Sequence, residues 1–160
     1  MEELLDKEAV KRVKEFITKF DSKLKIIVLE STARTAEEAA NSLKCEVGAI
    51  VKSLLFRTND TFLICLIAGD KRCSLNKLKK ILDKKDVSMA NVDEVKKNTG
   101  FSIGGVAPIA HIKKLNIFID KSLSRFESVF AAAGHPKCVF KINYNQLIKI
   151  TNGLEKQISE

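Results

Sequence analysis

Lys52 interrupts an apolar run, AIVKSLLFR at 49–57. In an extended strand Ile50, Lys52, Leu54 and Phe56 share one face, because successive side chains alternate. An ammonium in such a wall is costly unless it reaches water or an anion. Lys52 therefore either snorkels to solvent or lines a cleft, where it meets a phosphate, carbonyl or carboxylate. A second unusual stretch is FSIGGVAPIAH at 101–111. The chain has seven glycines, two prolines and two histidines, and this stretch holds Gly104, Gly105, Pro108 and His111. Adjacent glycines admit positive φ and bring backbone N–H groups close to a ligand, while Pro108 stiffens the exit. Such a bend is either a tight turn or a set of donors for a carbonyl or oxyanion. It matches neither G-x-G-x-x-G nor the P-loop, which argues against a nucleotide-triphosphate cradle. The remaining histidine and proline fall together in AAAGHPK at 131–137. His135, between Gly134 and Pro136, is placed to hydrogen-bond a substrate or move a proton, or is a polar turn residue. Cys138 follows three residues later, but it opens an apolar run, and no local nucleophile signature surrounds it. The four cysteines form no C-x-x-C pair and the two histidines are far apart, so no metal and no cofactor is expected.

These residues need elements to hold them. Apolar positions at Leu5, Ala9, Val13, Phe16 and Phe20 predict an amphipathic helix over 4–20. KIIVL at 25–29 reads as a strand. Thr35 and Glu38 predict a capping box, opening a helix through about Lys44, and Gly48 breaks the chain. AIVKSLLFR and TFLICLIAG, separated by Thr58, Asn59 and Asp60, read as a hairpin. A helix is expected over 74–82, a short strand over 87–89, and a further helix from the Asn91–Glu94 box to a stop at Gly100. Strands are expected at 116–120, 128–133 and 138–142, then a closing helix over 143–151 that stops near Gly153. Strands and helices mix without strict βαβ alternation. The expected fold is therefore mixed α/β: a single compact domain over residues 1–160, its mixed, barrel-like sheet surrounded by helices.

Composition narrows the partner. With 45% hydrophobic and 30% charged residues the chain is globular rather than disordered. Its net charge of +8 favours a polyanion, nucleic acid first. The excess of lysine over arginine weakens that inference, since lysine binds phosphate only as a point charge. The N-terminal MEELLDKEAVKRVKEF is charged and helix-like, so no secretory leader is expected. The longest apolar run, around 62–69, is too short to span a bilayer. A cytoplasmic location with reduced thiols and no membrane partner follows.

Read in order, STARTAEEAA, GAIVKSLLFR, LIAGDKRCSLNKLKKIL, NTGFSIGGVAPIAH, FIDKSLSRFESVFAAAGHP and LIKITNG resemble the YbaK family of aminoacyl-tRNA deacylases. That family includes the editing domain inserted in bacterial prolyl-tRNA synthetases. The resemblance covers about residues 25–153. It implies hydrolysis, in trans, of mischarged tRNA(Pro) carrying alanine first, then serine or 2-aminobutyrate. It places the family's lysine on Lys52 and its G-x-x-x-P motif on Gly104–Pro108. It places on His135 a histidine of the branches that edit small residues, which makes cysteine a less favoured substrate, and it puts Asp120 at a further family position. On this basis Lys52, Gly104, Gly105 and His135 are the expected catalytic residues. The Gly104 and Gly105 N–H groups are the oxyanion donors, and Pro108, Asp120 and Gly134 are expected to bind substrate. A small pocket, no covalent acyl-enzyme, and aminoacyl-tRNA and prolyl-tRNA synthetase as partners complete the expectation. Two competing readings use the same residues: a basic tRNA-binding module without turnover, and a hydrolase built on Cys138 and His135.

Overall fold

A computed structural model describes residues 2–160. One eight-stranded mixed sheet organises the chain. Its central hairpin is β2 (Ile50–Thr58) and β3 (Thr61–Ala68), antiparallel from Val51↔Ala68 to Thr58↔Thr61. The turn is Asn59–Asp60, with Asn59 at φ 53°, a left-handed conformation that asparagine tolerates. β5 (Asn116–Asp120) lies parallel to β3, and β8 (Leu154–Lys156) parallel to β5. On the other side β6 (Ser128–His135) runs parallel to β2, followed by β7 (Cys138–Asn143) and β1 (Ile26–Val28), both antiparallel to their neighbours. The order is β1-β7-β6-β2-β3-β5-β8, and the two-residue β4 (Ser88–Met89) also pairs with β2.

Both faces of β3 are buried, which is why its sequence is a continuous apolar run rather than an alternating one. Ile64, Leu66 and Ala68 face the main core, with Val10, Val13 and Ile17 from α2 (Glu8–Phe20), Phe101 and Phe140. Leu63, Cys65 and Ile67 face a second cluster with Phe56, Phe118 and Leu78 of α4 (Leu75–Leu82). A third, small cluster joins Ile50 to Ala39 and Ala40 of α3 (Ala36–Leu43).

The N-terminal helix departs from expectation. It is two helices, α1 (Glu2–Leu5) and α2, because Lys7 is extended at φ −64°, ψ 138°. The buried stripe is Val10, Val13 and Ile17, while Phe16 and Phe20 are 42% and 39% exposed. Those three positions form the helical face that meets the sheet. Helix α5 (Val92–Thr99) has the expected reciprocal box between Asn91 and Glu94 and stops at Gly100, φ 80°. Helix α6 (Tyr144–Thr151) is boxed by Asn143 and Gln146 and is capped by left-handed Asn152 rather than at Gly153. Strand β8 escapes sequence reading because LEK carries no alternation. Among the described residues no helix is long and apolar enough to cross a membrane.

Candidate active site

The sheet divides where the unusual lysine sits. β6 pairs with β2 only at Ile50↔Phe130 and Val51↔Ala131, and β4 pairs with it only at Phe56↔Met89 and Arg57↔Ser88. Between them residues 52–55 have no strand on that edge. The register of β6 against β7 also shifts between Ala132 and His135. A cavity of about 460 Å³ opens in the gap, lined by Lys52, Ser53, Gly104, His135 and the start of α3.

Lys52 faces the cavity between the α3 cluster at Ile50 and the α4 cluster at Leu54 and Phe56. Its Nζ donates to the Lys71 carbonyl, leaving further N–H bonds for a ligand. Burial lowers its pKa, and the Glu37 and Asp70 carboxylates oppose that shift. The 70–74 segment that supplies the Lys71 carbonyl is braced from two sides. Arg125 forks onto Asp70 with bonds of 2.6 and 3.0 Å. The chain end pairs along it, with Glu160 N donating to Arg72 O (2.9 Å) and Ser74 N to Ile158 O (2.7 Å). Asp120 anchors that chain end by accepting from Ile158 N (2.8 Å) and Ser159 N (3.1 Å). It is 1% exposed and does not line the cavity. Burial pushes its carboxyl up, but the Ser122 and Ile158 hydrogen bonds outweigh burial and hold its pKa below the usual carboxylate value.

The glycine bend is a turn over Ser102–Gly105, closed by Gly105 N donating to Ser102 O (3.0 Å). Gly104, the third residue, has φ 95°, the positive value that a type II turn requires there. The Gly105 N–H is therefore engaged, so of the donor pair expected at Gly104 and Gly105 only the Gly104 amide is free, and the next free amide along the bend is that of Val106. Both line the cavity, and neither N–H has an acceptor among the described residues. Gly105 serves a packing need instead. A Cβ there would lie 2.8 Å from Gly134 C and His135 N, and the Gly105 carbonyl accepts from Gly134 N at 3.0 Å. Gly134, at φ 91°, in turn presses on Ala9 and Val10 of α2, with a virtual Cβ 2.8 Å from the Ala9 backbone. Neither Gly105 nor Gly134 is on the cavity wall, and Pro108 is buried away from it. Arg12 of α2 completes the packing. It donates to Ala110 O (2.8 Å) and Thr99 O (3.2 Å) and covers the Phe101 ring at 4.5 Å.

His135 Nδ1 accepts from Lys137 N at 3.0 Å, which puts the proton of the neutral ring on Nε2. Burial, then Lys7 and Lys137, lowers its pKa, so the neutral form is favoured. The ring can therefore offer the cavity an N–H donor. Cys138 is also on the cavity wall, but burial pushes its thiol up. With Nδ1 of His135 accepting from Lys137 N, the neutral ring has no free basic nitrogen for that thiol.

Residues 30–150 match the family model described as the aminoacyl-tRNA editing domain. The chain belongs to the aminoacyl-tRNA editing domain family. Among solved structures it is similar to a candidate trans-editing enzyme for prolyl-tRNA synthetase, with TM-score 0.90 and 32% identity, covering 96% of this chain and 98% of that one. It is 29% identical over 140 residues to the uncharacterised protein YwhH of Bacillus subtilis, covering 87% of this chain and 88% of that protein. It is 31% identical over 125 residues to the proline–tRNA ligase of Thermosipho melanesiensis. That match covers 78% of this chain but 22% of the ligase.

Two residues of this editing domain's cavity escaped sequence reading. Ser53 lines the cavity, and its Oγ is buried without a hydrogen-bond partner among the described residues. Its place beside Lys52 in an apolar strand was the available signal. Strand alternation assigns the two side chains to opposite faces. Glu37 also lines the cavity; in the sequence it is one of two adjacent glutamates in the first turn of a helix.

Proposed function

We propose that this editing domain is a freestanding, cytoplasmic deacylase that hydrolyses the ester of mischarged tRNA(Pro) carrying a small non-cognate amino acid. Alanine is the first candidate, then serine or 2-aminobutyrate, with cysteine less favoured. The observation that carries this reading is that Lys52, Gly104 and His135, far apart in sequence, line one cavity. The substrate is an activated ester on the terminal ribose, and its hydrolysis passes through a tetrahedral oxyanion. Gly104 and Val106 supply backbone N–H groups without protein partners, the kind of donor that stabilises such an anion. Lys52 supplies a positive charge for the oxyanion or the terminal phosphate. The His135 Nε2–H holds an acyl or ribose oxygen. A neutral ring whose Nδ1 is occupied orients rather than abstracts, so the vicinal ribose hydroxyl and water carry the proton traffic.

No protein nucleophile is required, because the ester is labile and positioning supplies much of the acceleration. A cavity larger than an alanyl group needs has room for the terminal nucleoside as well. Specificity against larger acyl groups is steric, and one methylene is worth about 1–3 kcal/mol. Asp120 acts indirectly, by holding the chain end that braces Lys71. The test is a deacylation panel of alanyl-, seryl-, 2-aminobutyryl-, cysteinyl- and prolyl-tRNA(Pro). Alanyl-tRNA(Pro) is expected to turn over fastest and prolyl-tRNA(Pro) to be spared. Ester half-lives unchanged by the protein across the panel would refute the reading.

A further inference from the structure

An aminoacyl ester carries an α-ammonium one carbon from the reacting carbonyl. Most of the cavity's polar groups are unsuited to receive it. Lys52 and Arg34 on its wall are cations, the Gly104 and Val106 amides are donors, and neutral His135 presents an N–H. Among the residues lining the cavity, one is acidic: Glu37. The neighbouring acids are committed elsewhere. Asp70 is forked by Arg125 at 2.6 and 3.0 Å, and Glu38 accepts from the Thr35 hydroxyl at 3.2 Å. Glu37 makes no ion pair within 4.0 Å among the described residues. It is exposed, on the first turn of α3, with side-chain freedom to close on a ligand.

Resting on the deacylase reading above, we infer that Glu37 receives the α-ammonium of the aminoacyl group and makes the site prefer esters with a free amine. Glu37 and Lys52 then divide the substrate between them, the carboxylate taking the amine and the ammonium taking the developing oxyanion or phosphate. The pair fixes the direction in which the acyl group enters. It also separates free aminoacyl ends from N-acylated ones, whose nitrogen is an uncharged amide, as in a peptidyl end. A carboxylate at a helix N-terminus also stabilises the helix, but that effect is blind to the substrate's amine.

The distinguishing experiment compares alanyl-tRNA(Pro) with N-acetylalanyl-tRNA(Pro), using wild-type protein and Glu37→Gln. Each rate is divided by the uncatalysed rate of the same ester, since an α-ammonium itself activates the carbonyl. Wild-type protein is expected to accelerate the free-amine ester on the order of tenfold more strongly than the acetylated one, the worth of one charge-assisted hydrogen bond. Glu37→Gln is expected to lose that preference through a raised KM for alanyl-tRNA(Pro), with the acetylated ester unaffected and only the small fall in thermal midpoint that loss of a first-turn carboxylate brings. Equal losses on both esters, or no wild-type preference, would overturn the role of Glu37 while leaving the deacylase intact. A wild-type protein inactive on both esters would overturn the deacylase reading and the Glu37 role together.

Discussion

Lys52 has the cavity wall on one side and the Lys71 carbonyl on the other, so its charge is aimed rather than merely present. Lys52→Ala is expected to lower kcat/KM for alanyl-tRNA(Pro) by about 100-fold or more, the scale of removing one preorganised electrostatic partner. Lys52→Arg keeps the charge but replaces a compact ammonium with a planar fork, and most of the loss should persist in initial-rate measurements. His135 yields a pH prediction with a definite sign. Its lowered pKa keeps Nδ1 an acceptor for Lys137 N and Nε2 a donor below the ordinary imidazole value of about 6.5. The kcat profile should therefore stay level through that pH and fall only at lower values, where a proton on Nδ1 breaks the Lys137 bond. A fall centred at or above 6.5 would contradict this role. His111 behaves similarly toward stability. Burial lowers its pKa, with Arg12 adding to the shift, while Nε2 donates to Ala107 O at 2.8 Å. The unfolded chain binds the proton more readily, so stability is fully present above about 6.5 and declines as pH falls from there to the folded value. Thermal midpoints across that window should decline less in His111→Phe.

Three backbones meet at the glycines: the 102–105 turn, the end of β6 and the first turn of α2. This contact separates the two adjacent glycines by role. Gly104→Ala has room, its nearest neighbour being Pro136 Cγ at 3.4 Å, and meets only the strain of φ 95°, about 1–2 kcal/mol. Gly105→Ala must move backbone atoms 2.8 Å away, an overpacking cost of about 1–3 kcal/mol. Gly105→Ala should therefore lower the melting temperature more and displace His135. Equal midpoints for the two variants would remove the packing role from Gly105. The second structural device is the brace on the 70–74 segment. Asp120→Ala leaves the Ile158 and Ser159 amides without their acceptor, about 1–3 kcal/mol for each buried group left unpaired. Amide exchange at 158–160 should accelerate, and deacylation should fall through loss of the Lys71 position. Protection at 158–160 equal to wild type would show that the anchor lies elsewhere.

At the scale of the whole molecule, the net charge of +8 would govern the encounter with tRNA that the proposed function requires. Phosphate contacts made by lysines release counterions, so affinity falls steeply with salt. The KM for alanyl-tRNA(Pro) should rise about tenfold or more between 50 and 200 mM salt, with kcat little changed, since the proposed chemistry lies in a partly buried cavity. The proposed trans activity adds that purified protein clears alanyl-tRNA(Pro) with no synthetase present. A strict requirement for the synthetase would make this chain one part of a larger editing machine.

The local elements were legible in the residues. Side-chain periodicity, the Asn91–Glu94 box and Gly100 marked α5, and the doubly buried hairpin announced itself as two apolar runs. The motifs, each weak alone, pointed to the editing family as an ordered set. What the chain could not display in one dimension was which groups were already used. Gly104 and Gly105 look equivalent in sequence, yet turn closure consumes the second amide. Asp120 looks like a site residue, yet it holds the chain end behind Lys71. Glu37 looks like a solvent-facing helix residue, yet it lies on the wall shared with Lys52. Hydrogen-bond partnership and a gap in a sheet are relations between segments distant along the chain, so only the folded arrangement of β2, β4 and β6 could decide them.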